Sequence, residues 1–301
     1  MAETLACKDV IYAFDKTHEP VKRVESGTTI EIETYDCFEN QVQSADTKIG
    51  GIDWERINPA TGPIYVEGAQ PGDVLKVRIE KLEIGNQGVM ATGPNLGVLG
   101  HRQEEMASKI IPVEGDHAVF DDKLKIPLNK MIGVIGVAPE GEPVPCGTPG
   151  AHGGNMDTTL IAEGATLYFP VFAEGALFAL GDFHAAMGDG EIGVSGIEVP
   201  GKATVTLEVV KEGALRHPLL ENGDGIAFLV SKPTLDEAAK AAVEEMADFL
   251  LTRTDLGAAD LAMMLSAAGQ SQISQIVDPL MTARFFVPKY VLDAYNVTLF
   301  E

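Results

Sequence analysis

The residues able to ligate a metal or carry a proton gather in two glycine-rich runs. In Gly181-Asp182-Phe183-His184-Ala185-Ala186-Met187-Gly188-Asp189-Gly190-Glu191, four such side chains fall within ten residues. Asp182 and His184 stand two apart, so in extended chain they point the same way and can converge on one ion or one water. Asp189 and Glu191 repeat that spacing after a glycine-bounded turn. Imidazole with carboxylates suits zinc or another divalent cation, and an incomplete ligand set leaves a position for water. A hairpin with a solvated acidic turn would show the same residues, since the chain holds 45 Asp and Glu.

The second run, Pro145-Cys146-Gly147-Thr148-Pro149-Gly150-Ala151-His152-Gly153-Gly154-Asn155-Met156-Asp157, has too many Gly and Pro for a helix or a regular strand. It reads as a fixed loop whose backbone N–H groups approach a ligand, or as a structural loop in which His152 and Asn155 satisfy nearby backbone. A third segment, Glu33-Thr34-Tyr35-Asp36-Cys37-Phe38-Glu39, offers Asp36 and Glu39 at a strand end. Cys37 has no His or Lys paired with it by any signature and reads as a small buried residue. His101 and His18 have only isolated support.

The elements that must position these groups are mostly strands. Short segments rich in Val, Ile and Thr lie between frequent breakers, 32 Gly and 17 Pro. Residues 28–34 and 73–83 alternate, each implying one wet and one buried face. Further strands are predicted at 10–14, 123–128, 133–138, 165–172, 177–180, 202–211 and 226–231. The tripeptide Glu-Gly-Ala at 67–69, 163–165, 174–176 and 212–214 reads as a recurrent turn that exploits glycine's permitted φ.

The pattern changes after Pro233. Thr234 with Glu237 forms a capping box, and Leu235, Ala239, Ala242, Val243, Met246, Phe249 and Leu250 share one stripe, which predicts a helix over 235–250. A second helix, capped by Thr254 and ending near Gly269, is apolar over most of its circumference and predicts a buried helix. Strands first and helices last predict an α+β fold, mostly β: packed sheets, sandwich-like or barrel-like, with C-terminal helices on one side. Residues 1–301 read as one domain, β-rich over 1–232 and helical over 234–301.

With 22 Lys and Arg against 45 acids, the formal charge is −23. That excludes nucleic acid, whose phosphates need cationic neutralisation, and leaves no attraction to anionic membranes. Three cysteines with no CxxC pair, and a start without a basic segment followed by an apolar one, point to a reducing, cytoplasmic location.

The runs His152-Gly153-Gly154-Asn155-Met156-Asp157 and Gly181 to Glu191, followed by Ser195-Gly196-Ile197-Glu198, resemble the acetamidase/formamidase family. The resemblance extends from Thr34-Tyr35-Asp36-Cys37 to Ile273-Ser274-Gln275-Ile276-Val277-Asp278-Pro279. It implies hydrolysis of formamide, acetamide or a similar small amide to carboxylate and ammonia, by a β-rich homo-oligomer, here expected as a homodimer. It also implies a divalent metal, expected to be zinc, with calcium as a candidate second ion. On this reading Asp36, Asp182 and His184 hold the metal, Glu191 or Asp189 is the base, His152 and Asn155 position the amide, and N–H groups near Gly153 and Gly154 stabilise the oxyanion. Leu99-Gly100-His101-Arg102 departs from the family, where an acid is expected in place of His101. Two alternatives stay open: amide hydrolysis by a carboxylate and His without metal, and a non-catalytic protein binding a divalent cation or a small ligand.

Overall fold

Where apolar and polar residues alternate, the chain is sheet. In the computed structural model, which describes residues 3–300, the strand Thr28–Thr34 buries Ile30, Ile32 and Thr34 and leaves Glu31 and Glu33 partly in solvent. It lies in a nine-stranded sheet, between Glu3–Leu5 and Gly201–Val210. The sheet continues through Val74–Ile84, Thr166–Pro170, Leu219–Asn222, Gly225–Lys232, Met281–Pro288 and Gln270–Gln275. Gly225–Lys232 divides its side chains by period two: Ala227 and Leu229 enter one apolar cluster, while Ile226, Phe228 and Val230 enter another. Such a strand is covered on both faces, so its sequence is an unbroken apolar run.

A second sheet of eleven strands lies across the first cluster. Its path runs Lys125–Pro127, His117–Val119, Ala107–Glu114, Gln87–Thr92, Glu198–Val199, Phe178–His184, Met131–Gly136 and Gly153–Asn155. Ala60–Val66 pairs with the other part of Phe178–His184. Phe169, Phe178, Phe183, Ile64 and Ile79, all fully buried, fill the space between the sheets. The sheets are open; no barrel closes, so of the two expected arrangements the sandwich is the one observed.

Helix α1, Leu235–Leu251, covers the outer face of the nine-stranded sheet with Ala242, Met246, Phe249 and Leu250. Thr234 caps it: its hydroxyl accepts the Glu237 N–H at 3.3 Å and donates to the Glu237 carboxylate at 2.9 Å. Helix α2, Ala258–Ala268, departs from expectation in two respects. Thr254 does not cap it, because its hydroxyl turns back to the Leu250 carbonyl at 2.9 Å and finishes α1. Nor is α2 buried all round; Leu261 and Leu265 face the core, while Met263 is 62% exposed.

The segment after 234 is also not purely helical. Gln270–Gln275 and Met281–Pro288 add two strands to the sheet before the short helix α3, Lys289–Ala294. The polar run Gln270-Ser271-Gln272 hid the first of these, because an edge strand pairs on one side only and tolerates polar residues. Three of the four Glu-Gly-Ala sites turn as expected, with φ of +82° at Gly68, +90° at Gly164 and +74° at Gly175. At the fourth it is Glu212 and Ala214 that take positive φ.

Candidate active site

Strand Phe178–His184 runs through the centre of the eleven-stranded sheet and carries Asp182 and His184. The strand is not regular at this point: Asp182 has φ +56°. Opposite it stands Gly133, between the pairs Ile132↔Phe183 and Val134↔Gly181. A Cβ at Gly133 would collide with the Asp182 carboxylate and lie 2.5 Å from Asp157 Oδ1. Glycine here makes the floor on which two carboxylates rest. Asp157 follows strand Gly153–Asn155 and also takes positive φ, +38°.

Glu198 is the direct cross-strand partner of His184, so strand register alone brings carboxylate and imidazole together. His184 Nε2 lies 3.1 Å from Glu198 Oε2, 3.5 Å from Asp182 Oδ1 and 3.8 Å from Asp157 Oδ1. Yet both ring nitrogens of His184, Asp182 Oδ1, Glu198 Oε2 and both Asp157 oxygens are buried without a hydrogen-bond partner. Buried polar groups are nearly always paired, and a set of orphans converging on one point is a place for a ligand. Ligand atoms of Asp157, His184 and Glu191 lie within 4.8 Å of one another, and so do those of Cys37, Asp182 and Glu198.

Charge sharpens the argument. Asp36, Asp157, Asp182, Glu191, Glu198 and Asp278 all belong to this neighbourhood, against one imidazole. Burial pushes Asp36 and Asp157 up to about 6 and Glu198 to about 8. Burial, then the neighbouring carboxylates, holds Glu191 and Asp278 well above the usual carboxylate range. Burial alone would lower His184, but Glu198 and Asp182 more than offset it and raise it well above 6.5. Burial alone would raise Asp182, but the His184 charge beside it more than offsets this and holds it below the ordinary carboxylate value. Without a cation, burial and mutual repulsion favour the protonated forms of these acids, Asp182 excepted.

The other expected residues divide. Asp36 is buried beside Asp182, its Oδ1 accepting N–H groups of Phe38 at 3.0 Å and Asn40 at 2.7 Å. Asn155 is in place: its amide donates to Asp278 Oδ2 at 3.1 Å, leaving Oδ1 unpaired. Glu191, with φ +47°, turns inward and is buried. Asp189 does not follow it. Its carboxylate is bound by the Arg284 guanidinium at 3.1 and 2.6 Å and by the Thr159 hydroxyl at 2.8 Å, 45% exposed. The period-two expectation fails there because the strand has ended and Gly190, at φ +101°, reverses the chain.

His152 is buried, with its Nε2 unpaired. Its ring packs edge-on against Phe14, centroids 5.1 Å apart, and burial lowers it to about 4. It does not line the cavity above the cluster. Gly153 and Gly154 also lie outside it; the Gly153 N–H is taken by the Gly150 carbonyl at 3.1 Å, and both glycines serve close strand contacts. Cys37 is a buried thiol that burial and Glu198 push well above its ordinary pKa, which disfavours the thiolate. His101 is exposed, its Nδ1 3.2 Å from the Val98 carbonyl. Sequence reasoning gave no role to Asp157, Glu198 or Asp278, although each stands in or beside a quoted motif. The alternation of Glu198-Val199 with the preceding strand was too short to signal pairing.

Above the cluster lies a cavity of about 420 Å³, lined by Tyr12, Trp54, Asn155, Asp182, Glu198 and Asp278 among others. The chain matches the sequence profile of the Acetamidase/Formamidase family over residues 13–145 and 142–294. It is 24% identical to the formamidase of Methylophilus methylotrophus over 65% of this chain and 63% of that protein. It is 25% identical to the acetamidase of Mycolicibacterium smegmatis over 66% of this chain and 65% of that one. The match thus spans a little under two thirds of these relatives. Among solved structures, a protein from Thermoanaerobacter tengcongensis described as a predicted acetamidase/formamidase superposes with TM-score 0.97 at 51% identity, over 99% of both chains. An acetamidase from Bacillus halodurans gives 0.96 at 45% identity, over 98% of this chain and 100% of that one. The carboxylate-rich floor, the family profile and these neighbours lead to one conclusion: the chain belongs to the acetamidase/formamidase family.

Proposed function

We propose that this protein hydrolyses the C–N bond of carboxamides, releasing a carboxylate and ammonia, with water activated inside the acidic cluster. The observation that carries the reading is the convergence of unpaired buried oxygens of Asp157, Asp182 and Glu198 on the unpaired His184 Nε2, with Asp182 and Glu198 also lining the cavity. The names of the relatives support it. The donor set, one imidazole among carboxylates, fits zinc, and calcium would fit the carboxylates alone as a second ion. Asp36, Asp182 and His184, joined by Asp157 and Glu198, would hold the ion. Once bound it would polarise a carbonyl oxygen and lower the pKa of water.

The chain's own groups supply the rest. A carboxyl held well above its ordinary pKa suits Glu191 to take a proton from water at Oε and return it to the leaving nitrogen. Asn155, its amide fixed by Asp278, turns Oδ1 to accept a substrate N–H. A cytoplasmic location and a homodimer belong to the same proposal; three free cysteines and the exposed apolar residues Met263 and Leu251 support them. Among the described residues no helix is long and apolar enough to cross a membrane. The test is ammonia release from a series of amides before and after chelation, with zinc added back. Loss and recovery are expected; a metal-replete protein that releases no ammonia from any amide overturns the proposal.

A further inference from the structure

Strand Gln270–Gln275 carries a bulge just before it ends. Ile273 pairs with Ala283 and Gln275 with Thr282, so Ser274 is the extra residue. The bulge breaks the alternation, and Ser274 and Gln275, adjacent in sequence, are both fully buried. Resting on the amide-hydrolase reading, we infer that Gln275 is a positioning residue. It holds the turn 276–280 that sets Asp278, and through Asp278 it fixes the substrate-binding amide of Asn155.

The whole bonding capacity of the Gln275 amide goes to that turn. Its Nε2 donates to the Leu280 carbonyl at 2.6 Å and to the Thr282 hydroxyl at 3.0 Å. Its Oε1 accepts the N–H groups of Val277 at 2.9 Å and Asp278 at 3.0 Å. An amide has two donor hydrogens and two acceptor lone pairs, so one side chain ties both ends of the turn and has nothing left over. Asp278 lies at the cavity together with Asn155, and its Oδ2 accepts the Asn155 amide at 3.1 Å. The Asn155 Oδ1, buried and unpaired, is thereby held ready. An acceptor fixed in advance needs little ordering when a ligand arrives.

The same bulge grips two more segments of the site. Gln270–Gln275 is the last strand of its sheet, so one edge is open. There the Ser274 carbonyl accepts the Gly190 N–H at 2.7 Å, and the Ile276 N–H donates to the Gly190 carbonyl at 3.2 Å. These bonds fix the turn directly ahead of Glu191. The Ser274 hydroxyl accepts the Thr158 hydroxyl at 2.8 Å, next to Asp157. Gln275 differs from Ser274 in what its side chain holds: the turn of the amide-binding pair, and no member of the proposed ion-binding set.

The experiment measures kcat and KM for acetamide, bound zinc and melting temperature of metal-replete Gln275→Leu, Asn155→Ala and the double variant. Gln275→Leu keeps a similar volume and removes every one of these side-chain bonds. It is expected to retain its zinc and to raise KM about five- to tenfold, the effect of one lost neutral hydrogen bond to substrate, with a smaller fall in kcat. Asn155→Ala should raise KM by a similar factor. Adding Gln275→Leu to it should raise KM by less than about twofold, because the route through Asn155 is already gone. Gln275→Glu keeps an oxygen for the Val277 and Asp278 N–H groups, and should raise KM only about threefold. If Gln275→Leu does not fold, Gln275→Glu decides the question through the same cycle. A lower melting temperature with unchanged KM, or an equal rise in KM in both backgrounds, overturns the inference while amide hydrolysis stands. Zinc lost from Gln275→Leu overturns it as well. Wild-type protein that releases no ammonia from acetamide or formamide overturns the underlying reading instead.

Discussion

Two acids separated by a single residue, Asp189 and Glu191, have opposite fates, and this is testable at the level of single atoms. Glu191 is buried beside Asp157 and His184, whereas Asp189 is held by Arg284. Glu191→Gln should lower kcat roughly 10²–10⁴-fold, the usual range for a lost general base, without lowering thermal stability. Asp189→Asn should leave turnover within a few-fold and instead cost about 1–2 kcal/mol, since it uncouples the buried Arg284 from a half-exposed partner. Steady-state kinetics paired with melting curves separates the two. Gly133→Ala tests the floor itself: a methyl pressed against Asp182 and Asp157 should abolish ion binding and cost about 1–3 kcal/mol from overpacking. Retention of one tightly bound zinc in that variant would contradict the assigned site.

The cluster's protons set a pH dependence at the same scale. Asp157 near 6 and Glu198 near 8 are raised chiefly by burial. Between the ordinary carboxylate value of about 4 and these values, the folded protein binds more protons than the unfolded chain. Stability contributed by the protonated forms is therefore full below about pH 4 and lost as pH rises through 6 and 8. His184, also raised, acts in the same direction above about 6.5. Metal-free protein should melt at a higher temperature at pH 5 than at pH 8, and zinc should erase or reverse the difference by replacing protons. A metal-free protein that is more stable at pH 8 would contradict the assignment.

At the scale of elements, α1 offers an independent check on how the sequence was read. Thr234→Ala removes the cap seen at Glu237 N and should cost about 1 kcal/mol with turnover unchanged; a variant with wild-type melting would show the cap to be idle. That helix was legible because Thr234, Glu237 and a regular apolar stripe agree. Strand Thr28–Thr34 was legible for the corresponding reason, a strict alternation. Gln270–Gln275 was not, because edge strands need no apolar face, and α2 was overread because apolar content does not reveal which side meets the core. In the site, the spacing of Asp182 and His184 pointed to their proximity, yet Asp182 itself takes positive φ rather than plain extended chain. Glu198 was missed because its contact with His184 depends on pairing between strands distant in sequence. For His152 the sequence could not show which way the ring faces: it packs against Phe14, and its Nε2 is buried without a hydrogen-bond partner.

For the whole molecule, two open sheets supply rigidity, and the chemistry is shared between strand residues, Asp182, His184 and Glu198, and loop residues, Asp36, Asp157 and Glu191. The net charge of −23 includes the buried acids of the cluster; the excess outside them favours solubility, while the interior charge is concentrated at one point where a cation is needed. The account stands or falls on that point. Zinc titrated into stripped protein, with ammonia release from an amide followed in the same samples, tests it most directly. Activity should rise in step with bound zinc, and His184→Asn should lose both. Full turnover by protein free of metal, or zinc bound undiminished by His184→Asn, would contradict it.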